Sequence, residues 1–167
     1  MKFTSIITFF ALSAAAVSAM PVAEDTPAQL YRRAPCDSDG KAVDAKLVQT
    51  YDVFWEIDHL YFASTKTNPE LSQVIIRAGN TLDVIFNEIR DELADPVSQR
   101  SAGPVLNNAR TQFQQDTQQI KTGLERAGLV NAGSRMAPML KEFVALSTGV
   151  EADIKNLVSC WKKAGGP

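Results

Sequence analysis

Four stretches of this 167-residue chain set apolar residues three and four positions apart, and none sustains a two-residue alternation. A period near 3.6 buries one stripe of a helix, whereas a period of two would bury one face of a strand. That contrast restricts the fold to helices packed on helices. The first stretch covers about residues 43–63, with a stripe of Val43, Leu47, Tyr51, Phe54, Ile57 and Tyr61. Asp37, Ser38 and Asp39 precede it as capping candidates, since short polar side chains accept from the free amides of a first turn. The second covers about 70–94, opened by Asn68 and Pro69, where a missing N–H costs nothing. Its stripe is Leu71, Val74, Ile75, Ala78, Leu82, Ile85, Phe86, Ile89 and Leu93, and Asp95-Pro96 should end it. The third covers about 104–127. Leu106, Ala109, Phe113, Thr117, Ile120 and Leu124 line one face, Gln112, Gln114, Gln115, Gln118 and Gln119 cover the outside, and Gly128 is the stop. The fourth covers about 135–163, with Met136, Met139, Leu140, Phe143, Leu146, Val150, Ile154, Leu157 and Trp161 in its stripe and Pro138 in its first turn.

Four helices of similar length with short connections predict an all-α fold, an antiparallel up-down-up-down four-helix bundle. In that topology Cys36, before the first helix, and Cys160, near the end of the fourth, share a pole. In an exported chain the two favour a disulfide. Closing a loop of more than a hundred residues would stabilise the fold by roughly 3–5 kcal/mol in the chain-entropy view.

Export itself is expected from the first residues. Met1-Lys2 is a short positive start, Phe3–Val17 is nearly continuous apolar and small, and Val17-Ser18-Ala19 fits the small-x-small rule. Residues 1–19 therefore read as a signal peptide cut after Ala19. Residues 20–33 carry two prolines and few apolar side chains and end in Arg32-Arg33, the pattern of a propeptide removed by a dibasic protease. Residues 34–167 are then a single helical domain, enough for one modest core. No membrane span and no lipid-anchor tail is expected.

Charge and residue counts narrow the chemistry. Seventeen Lys and Arg stand against 19 Asp and Glu, a net charge of -2 that argues against nucleic acid as a partner. One histidine and two cysteines exclude most His/Cys metal sites, and no cofactor is expected. Glu56 and His59 form a Glu-x-x-His pair of the kind that builds di-iron sites in bundles, but the second such histidine does not exist. The lone His59 falls opposite the stripe, toward solvent. A nucleophile–base set is missing, so the chain is not expected to be an enzyme.

Two features of the first helix point to binding instead. Asp58 falls inside the apolar stripe, between Leu47 and Tyr51, where a carboxylate needs a partner, water or a ligand. The stripe is also flanked on one side by Val48, Trp55 and Phe62 and on the other by Val53 and Leu60, and Val144 and Val158 widen that of the fourth helix. An apolar arc this wide means a deep core, an internal lipid cavity or an exposed patch. The candidate ligand-contacting residues are Tyr51, Phe54, Trp55, Phe62 and Phe86, with Asp58 as a polar anchor.

The last two helices carry Ile120-Lys121-Thr122-Gly123-Leu124, a Gly-containing turn from Gly128 to Gly133, and Met139-Leu140-Lys141-Glu142-Phe143. With the leader and the helical layout, this resembles the fungal hydrophobic surface-binding or cell-wall galactomannoprotein family. The resemblance implies a secreted helical protein that binds fatty acids or hydrophobic surfaces at the fungal cell wall, with no catalytic residues. The Cys36/Cys160 pair is not part of that family's pattern. The same layout suits a small secreted effector that binds a host protein through an exposed helix face.

Overall fold

The computed structural model describes residues 36–94 and 99–164. Helix α1 spans Asp37–Phe62, α2 Pro69–Ala94, α3 Gln99–Arg126 and α4 Met136–Lys163, and the described residues contain no strand. The expected processing residues Ala19, Arg32 and Arg33, and the Asp95-Pro96 stop, lie outside the described residues.

Pairs of residues across the interfaces give the topology. Between α1 and α2, Asp44 meets Arg90, Tyr51 meets Asp83 and Phe54 lies against Gly79. Between α2 and α3, Leu71 lies against Gly123 and Arg77 pairs with Asp116. Gly103 and Arg110 of α3 face Val158 and Glu151 of α4. Cys36 and Lys46 of α1 join Cys160 and Asp153 of α4. Numbers rise along one helix as they fall along its neighbour at every interface, and α4 returns to α1. The fold is the expected up-down-up-down bundle. The Cys36–Cys160 disulfide, with Cα atoms 5.9 Å apart, ties the start of α1 to the end of α4.

The buried stripes meet along the axis. Phe143 sits at the centre, its ring centroid 5.7 Å from that of Phe54 and 5.9 Å from that of Phe113, the latter pair edge to face. Tyr61 is fully buried and closes the α1–α2 turn. Its hydroxyl donates to the Asn68 carbonyl at 3.0 Å and accepts from the Asn68 amide at 2.8 Å. Asn68 in turn caps α2, its Oδ1 accepting from the Leu71 amide. At the end of α3, Gly128 takes φ +63°, and the amides of Gly128 and Leu129 return to the carbonyls of Glu125 and Leu124. Those two bonds satisfy carbonyls that the helix leaves open, and glycine alone adopts that φ without strain.

Several expectations need correction. Helix α1 begins at Asp37, not near residue 43, and Asp37, Ser38 and Asp39 lie inside its first turns; Cys36 occupies the cap position without a side-chain bond. The stripe runs on through Gly40, buried because a Cβ there would come within 2.9 Å of Leu93. Helix α3 begins at Gln99, so Pro104 lies within the helix, and the small Ala102 marks the buried face ahead of Leu106. In the middle of α1 the buried position belongs to Thr50, not Tyr51. The Thr50 hydroxyl donates to the Lys46 carbonyl at 2.8 Å, which lets a small polar side chain enter the core at little cost. In α4, Ser147 faces inward and Leu146 is half-exposed.

Candidate functional site

The wide apolar arc of α1 resolves into two faces. One is the core stripe. The other is an outward ridge of Val48, Tyr51, Trp55 and Phe62, which are 41%, 36%, 53% and 45% exposed. At 100° per residue these four fall within about 60° of one another, and they run about 21 Å along the helix. Trp55 is braced from below: the His59 ring lies 4.4 Å from it, and His59 Nδ1 is 3.2 Å from the Trp55 carbonyl oxygen. Phe62 meets the edge of Tyr61 at 5.1 Å. The ridge thus grows out of the same helix turns whose inner residues hold the core.

Acidic groups surround it. Tyr51, Asp52, Trp55 and Glu56 line a shallow open groove of about 500 Å³. Asp83 of α2 stands beside Tyr51. Its negative charge, partial burial of the phenol and a hydrogen bond to the same carboxylate push the Tyr51 hydroxyl above its ordinary range. Asp58 is half-buried, and burial raises its carboxyl above the usual value while the neighbouring His59, 3.8 Å away, pulls the other way.

The six residues expected to share a ligand site are dispersed. Phe54 is committed to the core. Phe86 is half-buried, with the Arg90 guanidinium 3.8 Å above its ring, and Arg90 also reaches Asp44. Tyr51, Trp55 and Phe62 share the outer ridge, and Asp58 lies at its inner edge. A second open groove, of about 590 Å³, lies between the start of α2 and the end of α3, with Leu71 and Val74 among Asn68, Gln118, Gln119, Thr122 and Arg126. Its lining mixes amide, hydroxyl and charged side chains with apolar ones, and none of the six expected residues reaches it.

Sequence reasoning missed Asp116, which is fully buried. Its Oδ1 accepts from Arg77 Nε at 2.9 Å, from Arg77 NH2 at 2.5 Å and from Gln112 Nε2 at 3.0 Å. The Asp116 bond holds the Arg77 guanidinium even more firmly protonated than usual. Among the described residues Asp116 Oδ2 has no partner, and neither do the buried hydroxyls of Thr117 and Ser147. The pair locks α2 to α3 on the side of the bundle away from the α1–α4 interface. It lies one helix position off the α3 stripe, and its partner is 39 residues away in sequence, so neither spacing nor periodicity signals it.

Among the described residues no group of three or more His, Cys, Asp or Glu side chains could hold a metal ion, and no helix is long and apolar enough to cross a membrane. What the arrangement offers chemically is contact: an aromatic ridge, a groove at its middle and carboxylates along its borders. Compared with protein-family models, curated proteins and solved structures, the chain matches none.

Proposed function

We propose that this protein is a secreted, non-catalytic binding module whose contact surface is the outward face of α1. One observation carries the reading: four large apolar side chains of one helix stand exposed in line while a complete second stripe of the same helix fills the core. Folding does not require the outer four, and a contiguous exposed apolar patch marks a place of contact. The signal-like leader and the disulfide are compatible with work outside the cell. The resemblance of the layout to hydrophobic surface-binding proteins is in keeping with this reading. A lipid held inside the bundle has less support, because Phe54 packs against Phe143 and the remaining candidates lie on the outside.

Retention of the full secreted chain on alkyl-coated beads tests this. Trp55→Ala with Phe62→Ser should abolish retention while the helical circular dichroism signal stays unchanged. Equal retention of the double variant and the parent would overturn the proposal.

A further inference from the structure

The acids around the α1 ridge say what it takes. We propose that its partner is a cationic amphipathic helix of another polypeptide, lying along Val48–Phe62 with a Lys or Arg side chain seated in the groove of Tyr51, Asp52, Trp55 and Glu56. This inference rests on the reading of α1 as the contact face and adds the partner's chemistry.

The charge pattern is one-sided. From Leu47 to Phe62, α1 contains Asp52, Glu56 and Asp58 and no Lys or Arg. Neighbouring bases are engaged elsewhere: Lys46 is held by Asp153 at 2.5 Å, Lys66 donates to the Gly128 carbonyl at 3.3 Å, and Arg90 lies between Asp44 and the Phe86 ring. Four acids at helix interfaces, Asp44, Asp116, Glu151 and Asp153, have cations of their own. Asp52 and Glu56 are exposed, stand on successive turns beside Trp55, and pair with no cation among the described residues. Asp83 adds a third carboxylate across the Tyr51 edge.

This frame selects among occupants. A second copy docked ridge to ridge by a two-fold axis would bring Asp52 and Glu56 of both chains together, which like charges oppose. An anionic bilayer would be repelled by the same carboxylates. A neutral apolar surface covers the ridge, as on alkyl beads, but leaves Asp52 and Glu56 without a countercharge. A helix with an apolar stripe and basic borders answers every feature. Its stripe covers the ridge, which at 1.5 Å per residue needs about 14 residues. Its cations pair with the carboxylates, and one lies over the indole or phenol face, where the ring quadrupole attracts it.

The test titrates the full secreted chain against fluorescent 18-residue Leu/Lys and Leu/Glu amphipathic peptides, followed by anisotropy at low and moderate salt. The Leu/Lys peptide should bind at least about tenfold more tightly than its Leu/Glu counterpart, with an affinity that falls as salt rises. Asp52→Asn with Glu56→Gln should remove most of that preference and its salt dependence while leaving bead retention intact. Equal binding of the two peptides, or a Leu/Lys affinity untouched by the double variant, overturns the inference. If Trp55→Ala with Phe62→Ser still abolishes bead retention in that case, the α1 reading stands and only the cationic partner falls. If that variant changes neither beads nor peptides, both fall.

Discussion

Helices α1 and α3 differ by two residues in length and each contributes a full stripe to the same core, yet their remaining surfaces are inverted. Helix α3 turns Gln114, Gln115, Gln118 and Gln119 outward and hides a carboxylate, Asp116. Helix α1 turns Val48, Tyr51, Trp55 and Phe62 outward and keeps its carboxylates near water. Both arrangements satisfy the bundle, so the core does not dictate either exterior. The hidden charge of α3 serves the packing of the bundle, and the exposed apolar line of α1 is the feature on which the proposed contact face rests.

The contrast can be broken from its structural end first. Arg77→Leu leaves Asp116 buried with only Gln112 beside it, and should destabilise the fold by about 3 kcal/mol in chemical denaturation. Asp116→Asn is milder, about 1–2 kcal/mol, because Arg77 is half-exposed and water can take over its solvation. If Asp116→Asn costs more than Arg77→Leu, the burial asymmetry assigned to the pair is wrong. At the other end, Trp55→Ala should shift stability by no more than about 0.5 kcal/mol, the range of surface substitutions, while removing the apolar contact function. A loss of several kcal/mol would place Trp55 in the core and erase the difference between the two helices.

Two titrations sharpen the borders of the ridge. Asp83→Asn removes the charge that holds the Tyr51 phenol up, so its midpoint, read from tyrosinate absorbance, should fall toward the ordinary value. An unchanged midpoint would separate Asp83 from the ridge. The smallest effect belongs to Asp58. Its folded carboxyl titrates above its unfolded value, so the folded state prefers the protonated form. Stability from this group is full below the unfolded value and is lost as pH rises through the folded one. Asp58→Asn should therefore raise Tm slightly at pH 7, with the gain vanishing by about pH 3. A gain that persists in acid would point to another cause.

Much of this was legible in the residues. The periods of the four stripes give the helices, and the positions of two cysteines at one pole agree with the bundle they close. The errors fall where side-chain size and polarity misreport burial. Gly40 and Ala102 are too small to register as stripe residues, so α1 and α3 read short. Thr50 displaces Tyr51 because a hydroxyl can satisfy itself on its own helix, which apolar patterning does not weigh. The surplus arc of α1 was visible as Val48, Trp55 and Phe62. Whether such an arc becomes core, cavity or ridge depends on how far neighbouring helices wrap around it, and that is set by packing across the bundle. The Arg77–Asp116 pair was invisible for the same reason, since it exists only once α2 and α3 are side by side.

The disulfide between Cys36 and Cys160 spans 124 positions, so all three connecting loops lie within the covalent ring it closes. A protease that cuts once in any of those loops produces two fragments that remain one molecule. Each fragment keeps whole helices, and the partner helices stay at high local concentration across the bridge. The bundle can therefore be nicked without falling apart, and it comes apart only when cleavage is joined by reduction. Durability against proteases then depends on redox state as much as on the sequence between the helices.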